Sequence, residues 1–320
     1  MEGLKTLTAD LVLSLTGEKH TSRVTSADLR QQNIAKVCSF KNFPKLKLLN
    51  LAFNQLEEPP QDDFLSYNKE LKELRLTGNR LTSLQGLKCP TVEVLYFDYN
   101  LLSSLEGVEN LRRLTLLRLD SNDLHSIEGV ERLVDLRVLS LNNNKITQLV
   151  SLRRLTNLNE LQINSNKLTS ILEGMLPENL KQLHAAGNKL MSVSFLKDVP
   201  KIEQLNLAHN NLSNVEALPK LPNLQDLLLS SNQMCMIGTD DDLSELCPSL
   251  VSLDLSDNVF HSRMDLLGLT SVKSLYELNL KGNPCSEQGG FVEEMQSELP
   301  QLAILNDFRL KRPTIYQVEL

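Results

Sequence analysis

The chain has 320 residues, of which 69 are leucine, 41% are hydrophobic and only 4% aromatic, with no tryptophan. Its 33 basic and 40 acidic residues leave a net charge of −7, which disfavours nucleic acid as a bulk electrostatic partner. A charged fraction of 23% with only 13 glycines and 12 prolines excludes disordered and collagen-like chains.

One apolar side chain used this often implies one buried slot shape used many times, so internal repetition is the first thing to test. The chain opens with Thr8, placed to cap a helix carrying Leu11, Val12 and Leu15, and with Gly17, suited to the left-handed residue that ends it. Asp10 interrupts the apolar stretch from Leu4 to Leu15, and no cleavage site frames it, so no signal peptide is expected. Val24, Ala27, Leu29 and Ile34 around Gln32 then begin a pattern whose later rungs are all asparagine. These are Asn54, Asn79, Asn100, Asn122, Asn144, Asn166, Asn188, Asn210, Asn232, Asn258 and Asn283, mostly 22 residues apart. The unit reads Leu-x-x-Leu-x-Leu-x-x-Asn-x-Leu, as in Leu71, Leu74, Leu76, Asn79 and Leu81, or Leu136, Leu139, Leu141, Asn144 and Ile146.

Alternation such as Leu139 and Leu141 points both side chains to one face of a short strand and leaves the residues between them outside. Where the chain leaves the strand, backbone groups lose their ladder partners, and a buried carboxamide both donates and accepts to satisfy them. The return half, with Ile127, Val130 and Leu133 three residues apart, suits a 3₁₀ or short helical turn.

Two steps are irregular. The first runs from Glu57 to Lys69 and holds Pro59, Pro60, Asp62 and Asp63; the second runs from Gln233 to Ser249, where Thr239 and Asp240 to Asp242 read as the start of a helix with Leu243 and Leu246. Near the end, Phe291, Met295 and Leu299 line one helical face, followed by Leu302 and Leu305, although Gly289 and Gly290 weaken the helix start. Such a cap closes the bare end of a strand stack. Beyond it, Arg309, Lys311, Arg312 and Pro313 lead into Thr314 to Leu320, read as a frayed tail or a strand-forming segment with Ile315, Tyr316 and Val318. The expectation is one domain over 1–320, with an N-terminal cap at 1–23, repeats at 24–283, a C-terminal cap at 284–307 and a tail at 308–320.

These residues resemble the leucine-rich repeat family over roughly 24–307, and the cadence is similar to its intracellular subclass typified by the leucine-rich regulatory subunit of protein phosphatase 1. The Asn283-Pro284 start and the Leu299-Pro300-Gln301-Leu302 sequence resemble the C-terminal cap of that subclass and of the spliceosomal A-prime protein. The resemblance implies an α/β fold: a right-handed solenoid with a parallel concave sheet, an N-terminal helical cap and a C-terminal leucine-rich repeat cap. It also implies a surface for a protein partner without naming that partner.

Little in the chain points to catalysis. Cys38, Cys89, Cys235, Cys247 and Cys285 are odd in number and scattered, which reads as a reducing compartment. His184 and His209 sit on adjacent repeats but are offset by three positions, roughly 10 Å at strand rise, too far to share a metal. With no registered nucleophile and base, phosphate loop or metal-ligand spacing, the expectation is a non-catalytic protein with no cofactor, no metal, no small-molecule substrate and no membrane insertion.

The outward strand positions instead form columns. Arg75, Tyr96 and Arg118 make a row beside Asp98 and Asp120, with Phe53 and Tyr99 one position before their rungs and Leu48, Val94, Leu116 and Val138 six before. Tyrosine and arginine are enriched where binding energy concentrates, so Phe53, Arg75, Tyr96, Asp98, Tyr99, Leu116, Arg118 and Asp120 are the first candidate partner site. The same spacing allows Arg75 and Arg118 merely to neutralise Asp98 and Asp120. A second candidate is an acidic strip of Asp226, Asp254, Asp257 and Glu277 broken by Leu228, suited to a basic segment. The functional expectation is a cytoplasmic protein–protein interaction scaffold, possible settings being a cytoskeletal or ciliary assembly, regulation of a protein phosphatase, or a ribonucleoprotein, with a nuclear location left open. The small polar middle columns, Ser140, Gln162, Asn164 and Ala186, weigh against the phosphatase setting, and the scarcity of outward basic residues weighs against the ribonucleoprotein.

Overall fold

The alternating core of each asparagine repeat folds as a strand of only three residues with a buried leucine at its centre, as in Glu73–Leu74–Arg75, while the first strand, Ser26–Asp28, is centred on Ala27. The structure is a computed structural model describing residues 5–37, 40–58, 68–214, 218–237 and 243–310. The prolines and acids at 59–63, the capping segment at 239–242, Cys38 and the tail from 311 onward lie outside the described residues. The chain divides into two compact units, Met1–Leu180 and Lys181–Leu320.

In the first unit the order is β1 (Lys5–Leu7), α1 (Ala9–Thr16), β2 (Ser26–Asp28), β3 (Ile34–Val37), β4 (Leu48–Asn50), β5 (Glu73–Arg75), β6 (Val94–Tyr96), β7 (Leu116–Arg118), β8 (Val138–Ser140) and β9 (Glu160–Gln162). Strands β2, β4, β5, β6, β7, β8 and β9 pair in that order, all parallel and in repeat register. Helix α1 is the expected cap. Thr8 Oγ1 accepts from Leu11 N at 3.3 Å, Gly17 turns left-handed at φ 73°, and its N–H bonds Leu13 O at 3.0 Å. Val12 is buried but Leu15 faces solvent, so the buried face of this cap is narrower than the apolar spacing implied. Strand β1 pairs with β3 as a separate two-stranded parallel sheet, a feature without any repeat signature.

The second unit contains β10 (Gln182–His184), β11 (Gln204–Asn206), β12 (Asp226–Leu228), α2 (Leu243–Leu246), β13 (Ser252–Asp254), β14 (Glu277–Asn279), α3 (Phe291–Glu298), β15 (Ile304–Leu305) and β16 (Phe308–Arg309). Strands β10 to β15 pair in parallel, and β16 turns back antiparallel on β15. Asn306 and Asp307, at φ 53° and 66°, make the two-residue left-handed turn that such a hairpin requires. In α3, Phe291 and Met295 are buried, as are Leu299, Leu302 and Leu305 beyond it. Gly290 begins this helix in left-handed backbone, without a side-chain cap.

Each unit is thus a parallel β-solenoid of the leucine-rich repeat type with few helices. Between strands the chain returns through short turns, among them 3₁₀ turns at Val108–Asn110, Val130–Arg132 and Ser194–Asp198. Ile127, Val130 and Leu133 are fully buried there, so the three-residue spacing carries the return face of the core.

Candidate functional site

The asparagine ladder fixes where every outward side chain lies. Each of the eleven rung asparagines is at least 92% buried, with relative exposures of 1–8%. Asn144 is typical: its Nδ2 donates to Leu141 O of its own repeat at 3.1 Å and to Leu119 O of the repeat before at 3.0 Å, while its Oδ1 accepts from Leu124 N at 3.1 Å. Leu119 O in turn also accepts from Asn122 Nδ2 at 3.1 Å. Successive amides therefore share a carbonyl, one on each lone pair.

To bring the amide inward, the residue before the rung adopts left-handed backbone. In the first unit these residues are Phe53 (φ 56°), Gly78 (69°), Tyr99 (55°), Ser121 (55°), Asn143 (56°) and Ser165 (54°). Glycine, serine and asparagine suit this conformation, whereas a bulky residue there costs about 1–2 kcal/mol. The two aromatics recover little of that by burial, because Phe53 is 52% and Tyr99 62% exposed. The Phe53 ring lies over Gly78, where a Cβ would stand 2.5 Å from Phe53 Cδ1. Leu101, one residue past its rung, is 50% exposed, where other repeats place Gln55, Arg80, Asp123 and Lys145. Lack of a periodic signal hid Leu101 in the sequence.

Across the strands, Arg75 pairs with Tyr96 in register, and its guanidinium lies 5.2 Å from the Tyr96 ring centroid, held by Glu73 Oε1 at 2.5 Å. Tyr96 neighbours Arg118, which donates to Asp120 Oδ2 at 3.0 Å and stands 3.6 Å from Asp98 Oδ1. Phe53, Arg75, Tyr96, Tyr99, Leu116 and Arg118 thus gather on one face of one unit. Leu116 is half-buried between Val94 and Val138, its register partners.

Asp98 and Asp120 are a correction to the expected open carboxylates, for they are only 5% and 7% exposed. Asp98 Oδ1 accepts from Asp120 N at 3.1 Å, and Asp120 Oδ1 accepts from Asn142 N at 2.7 Å and Ser140 Oγ at 2.6 Å. Asn142 Oδ1 repeats the bond to Asn164 N at 2.8 Å. In other repeats the corresponding backbone N–H is satisfied from within its own strand, as by Asn50 Oδ1 on Ala52 N at 3.1 Å or Asp254 Oδ1 on Ser256 N at 2.9 Å. The two carboxylates are therefore backbone acceptors at the exit of the sheet, and the exposed guanidinium of Arg118 is what they present to solvent. Burial raises the Asp98 pKa above the ordinary aspartate value, which Arg118 opposes without cancelling. Desolvation works to lower the Arg118 pKa, but Asp98 and Asp120 outweigh it and hold it raised. The difference follows from position, because the Asp98 carboxylate is buried and the Arg118 guanidinium only partly so.

The acidic strip of the second unit is less continuous than its spacing suggested. Register places Ser252 between Asp226 and Glu277, and Leu228 beside Asp254. Asp226 accepts from Gln204 Nε2 at 3.1 Å, and Asp254 Oδ1 is taken by Ser256 N and by Ser256 Oγ at 2.6 Å. Asp257 is left-handed, with its carboxylate against Gly282. Among the described residues no cluster of three or more His, Cys, Asp or Glu side chains has metal-ligating geometry, and no helix is long and apolar enough to cross a membrane.

A leucine-rich repeat family model matches residues 177–315. No curated protein sequence matches the chain significantly. Among solved structures, an internalin (inlF) from Listeria monocytogenes has 21% identity over 95% of this chain and 96% of its own, with a TM-score of 0.73. The leucine-rich effector protein YopM from Yersinia pestis has 23% identity over 93% of this chain and 75% of its own, with a TM-score of 0.70. At these identities the likeness is one of fold, and it agrees with the ladder seen in both units. By its repeats and its fold, the chain is a leucine-rich repeat solenoid, and its match to the family's sequence model lies within residues 177–315.

Proposed function

We propose that the protein is a non-catalytic interaction scaffold whose first unit docks a partner protein on the outer face of β4 to β8. The observation that carries this is the pair of aromatic rings at Phe53 and Tyr99, held in left-handed backbone and more than half exposed. A fold that accepts serine, asparagine or glycine at this step gains nothing in stability from an exposed aromatic, so its use lies in contact with another molecule. Tyr96 with Arg75 stacked on it, Leu116, Arg118 and the half-exposed Leu101 extend the same face. Asp98 and Asp120 support this face from beneath and are not themselves contact residues. The described cysteines, Cys89, Cys235, Cys247 and Cys285, are all free thiols, which supports a reducing, cytoplasmic setting.

Affinity purification of the wild type beside a Tyr96→Ala, Tyr99→Ala double variant tests the reading. Partners bound to the docking face drop out with the variant; the same partners returning undiminished refutes it. The identity of the lost partner selects the setting: tubulin or other cytoskeletal and ciliary proteins for an assembly role, a phosphatase catalytic subunit for a regulatory one.

A further inference from the structure

The docking face has a second edge that the aromatic residues do not reach. Val94, Leu116 and Val138 pair in register across β6, β7 and β8, each half-buried, and make an apolar stripe. Immediately before these strands lies an open cleft of about 240 Å³ lined by Glu93, Arg113, Thr115, Asp135, Arg137 and Asn157. Among the described residues neither the Arg113 nor the Arg137 guanidinium makes an ion pair or a hydrogen bond, although both residues are exposed. Glu93 in the same cleft is already paired with Lys72. Two uncompensated guanidiniums therefore face one uncompensated carboxylate, Asp135. On the other side of the stripe, Arg118 offers its remaining N–H groups to solvent above the buried Asp98 and Asp120. From the strand-entry position of Arg137 to the row of Arg118 is three residues along the strand, roughly 10 Å. That is about the width of one helix or extended segment with its side chains.

We infer that this strip receives an acidic amphipathic segment of a partner protein, its apolar side chains on Val94, Leu116 and Val138 and its carboxylates on Arg113 and Arg137. The inference rests on the docking reading above and adds the partner's chemistry to it. Apolar ground with two unpaired guanidiniums along one edge, and the Arg118 guanidinium rather than its buried acids exposed along the other, matches a segment with apolar and acidic faces. A nucleic-acid strand would leave the stripe uncovered.

The probe is a random peptide library displayed on phage and panned against the full chain, followed by anisotropy titration of the selected peptides. Selected peptides are expected to carry Asp or Glu beside apolar residues and to weaken as ionic strength rises. Their affinity should fall by about tenfold or more with Arg113→Glu and Arg137→Glu together, since a reversed charge repels where the native one attracted. Arg113→Gln with Arg137→Gln should give a smaller loss. Both variants should unfold at the wild-type temperature, because neither arginine has a described intramolecular ion pair to lose. Neutral or basic selected peptides, unchanged affinity in the charge reversal, or preferential binding of a single-stranded oligonucleotide would overturn the inference. If binding falls with Phe53→Ala and Tyr99→Ala but not with the arginine reversal, the docking face stands and the acidic partner does not. If neither pair of substitutions matters, both fall.

Discussion

Replacing Asn144 by leucine, a side chain of similar size, isolates what the ladder contributes to stability. The substitution removes the acceptor of Leu124 N and one of the two donors at each of Leu119 O and Leu141 O. Leu119 O keeps Asn122, and Leu141 O keeps Asn166 at 2.9 Å, so the carbonyls are weakened rather than orphaned. The N–H of Leu124 is orphaned outright. A buried donor left without a partner costs about 1–3 kcal/mol, and each of the two lost amide bonds about 1 kcal/mol. The expected destabilisation is therefore about 3–5 kcal/mol, concentrated near β7 and β8. Since repeat arrays need not unfold in one step, hydrogen exchange resolved by mass spectrometry is the assay, read at the peptides containing Leu124 and Leu141. Asn144→Asp adds a pH test. A carboxylate buried beside two carbonyl oxygens has a raised folded pKa, so the stability it retains is fully present below the ordinary aspartate value of about 3.9 and is lost as pH rises through the folded value. Exchange in the leucine variant within about 1 kcal/mol of wild type, or an aspartate variant that gains stability with rising pH, refutes the reasoning.

Asp98→Asn keeps the acceptor for Asp120 N while removing a charge whose pKa burial raises, so its melting temperature should match or exceed wild type at neutral pH. That advantage should shrink as pH falls through the raised Asp98 pKa, and a variant that melts lower at neutral pH would contradict the buried-acceptor role. Gly78→Ala places a Cβ 2.5 Å from the Phe53 ring at φ 69°, so it should lower stability by about 1–2 kcal/mol in urea titration and weaken partner capture by displacing the ring. Among the described cysteines, native-state labelling should modify exposed Cys235 and spare Cys89 and Cys247, whose thiols burial pushes up to about 12. Rapid labelling of Cys89 or Cys247 without denaturant would show that the core opens.

What could be read from the residues alone was whatever repeats. A buried amide is demanded at every exit from the sheet, so Asn54 to Asn283 declared the strands, and Thr8 and Gly17 declared the cap because each performs a local task. Features that depend on lateral neighbours were hidden. Asp98 and Asp120 looked like open carboxylates because their backbone donors lie in the next strand, 22 residues on. The cleft of Arg113 and Arg137 is assembled from several repeats, and nothing in one repeat marks it. Strand β1 pairs with β3 through three residues without alternation, too short a pattern to signal anything. Phe53 and Tyr99 were visible as aromatics, but the strain that gives them meaning was not, since it lies in φ.

Because rung amides within each unit clasp their own carbonyl and their predecessor's, as Asn144, Asn166, Asn210 and Asn232 do, the natural unit of change is a whole coil. Duplicating or excising one complete turn leaves every amide with a carbonyl on both sides, whereas a partial excision leaves one rung grasping nothing. Growth by copying entire coils therefore carries little structural risk, and single extra residues accumulate instead on the return side, where the ladder does not reach.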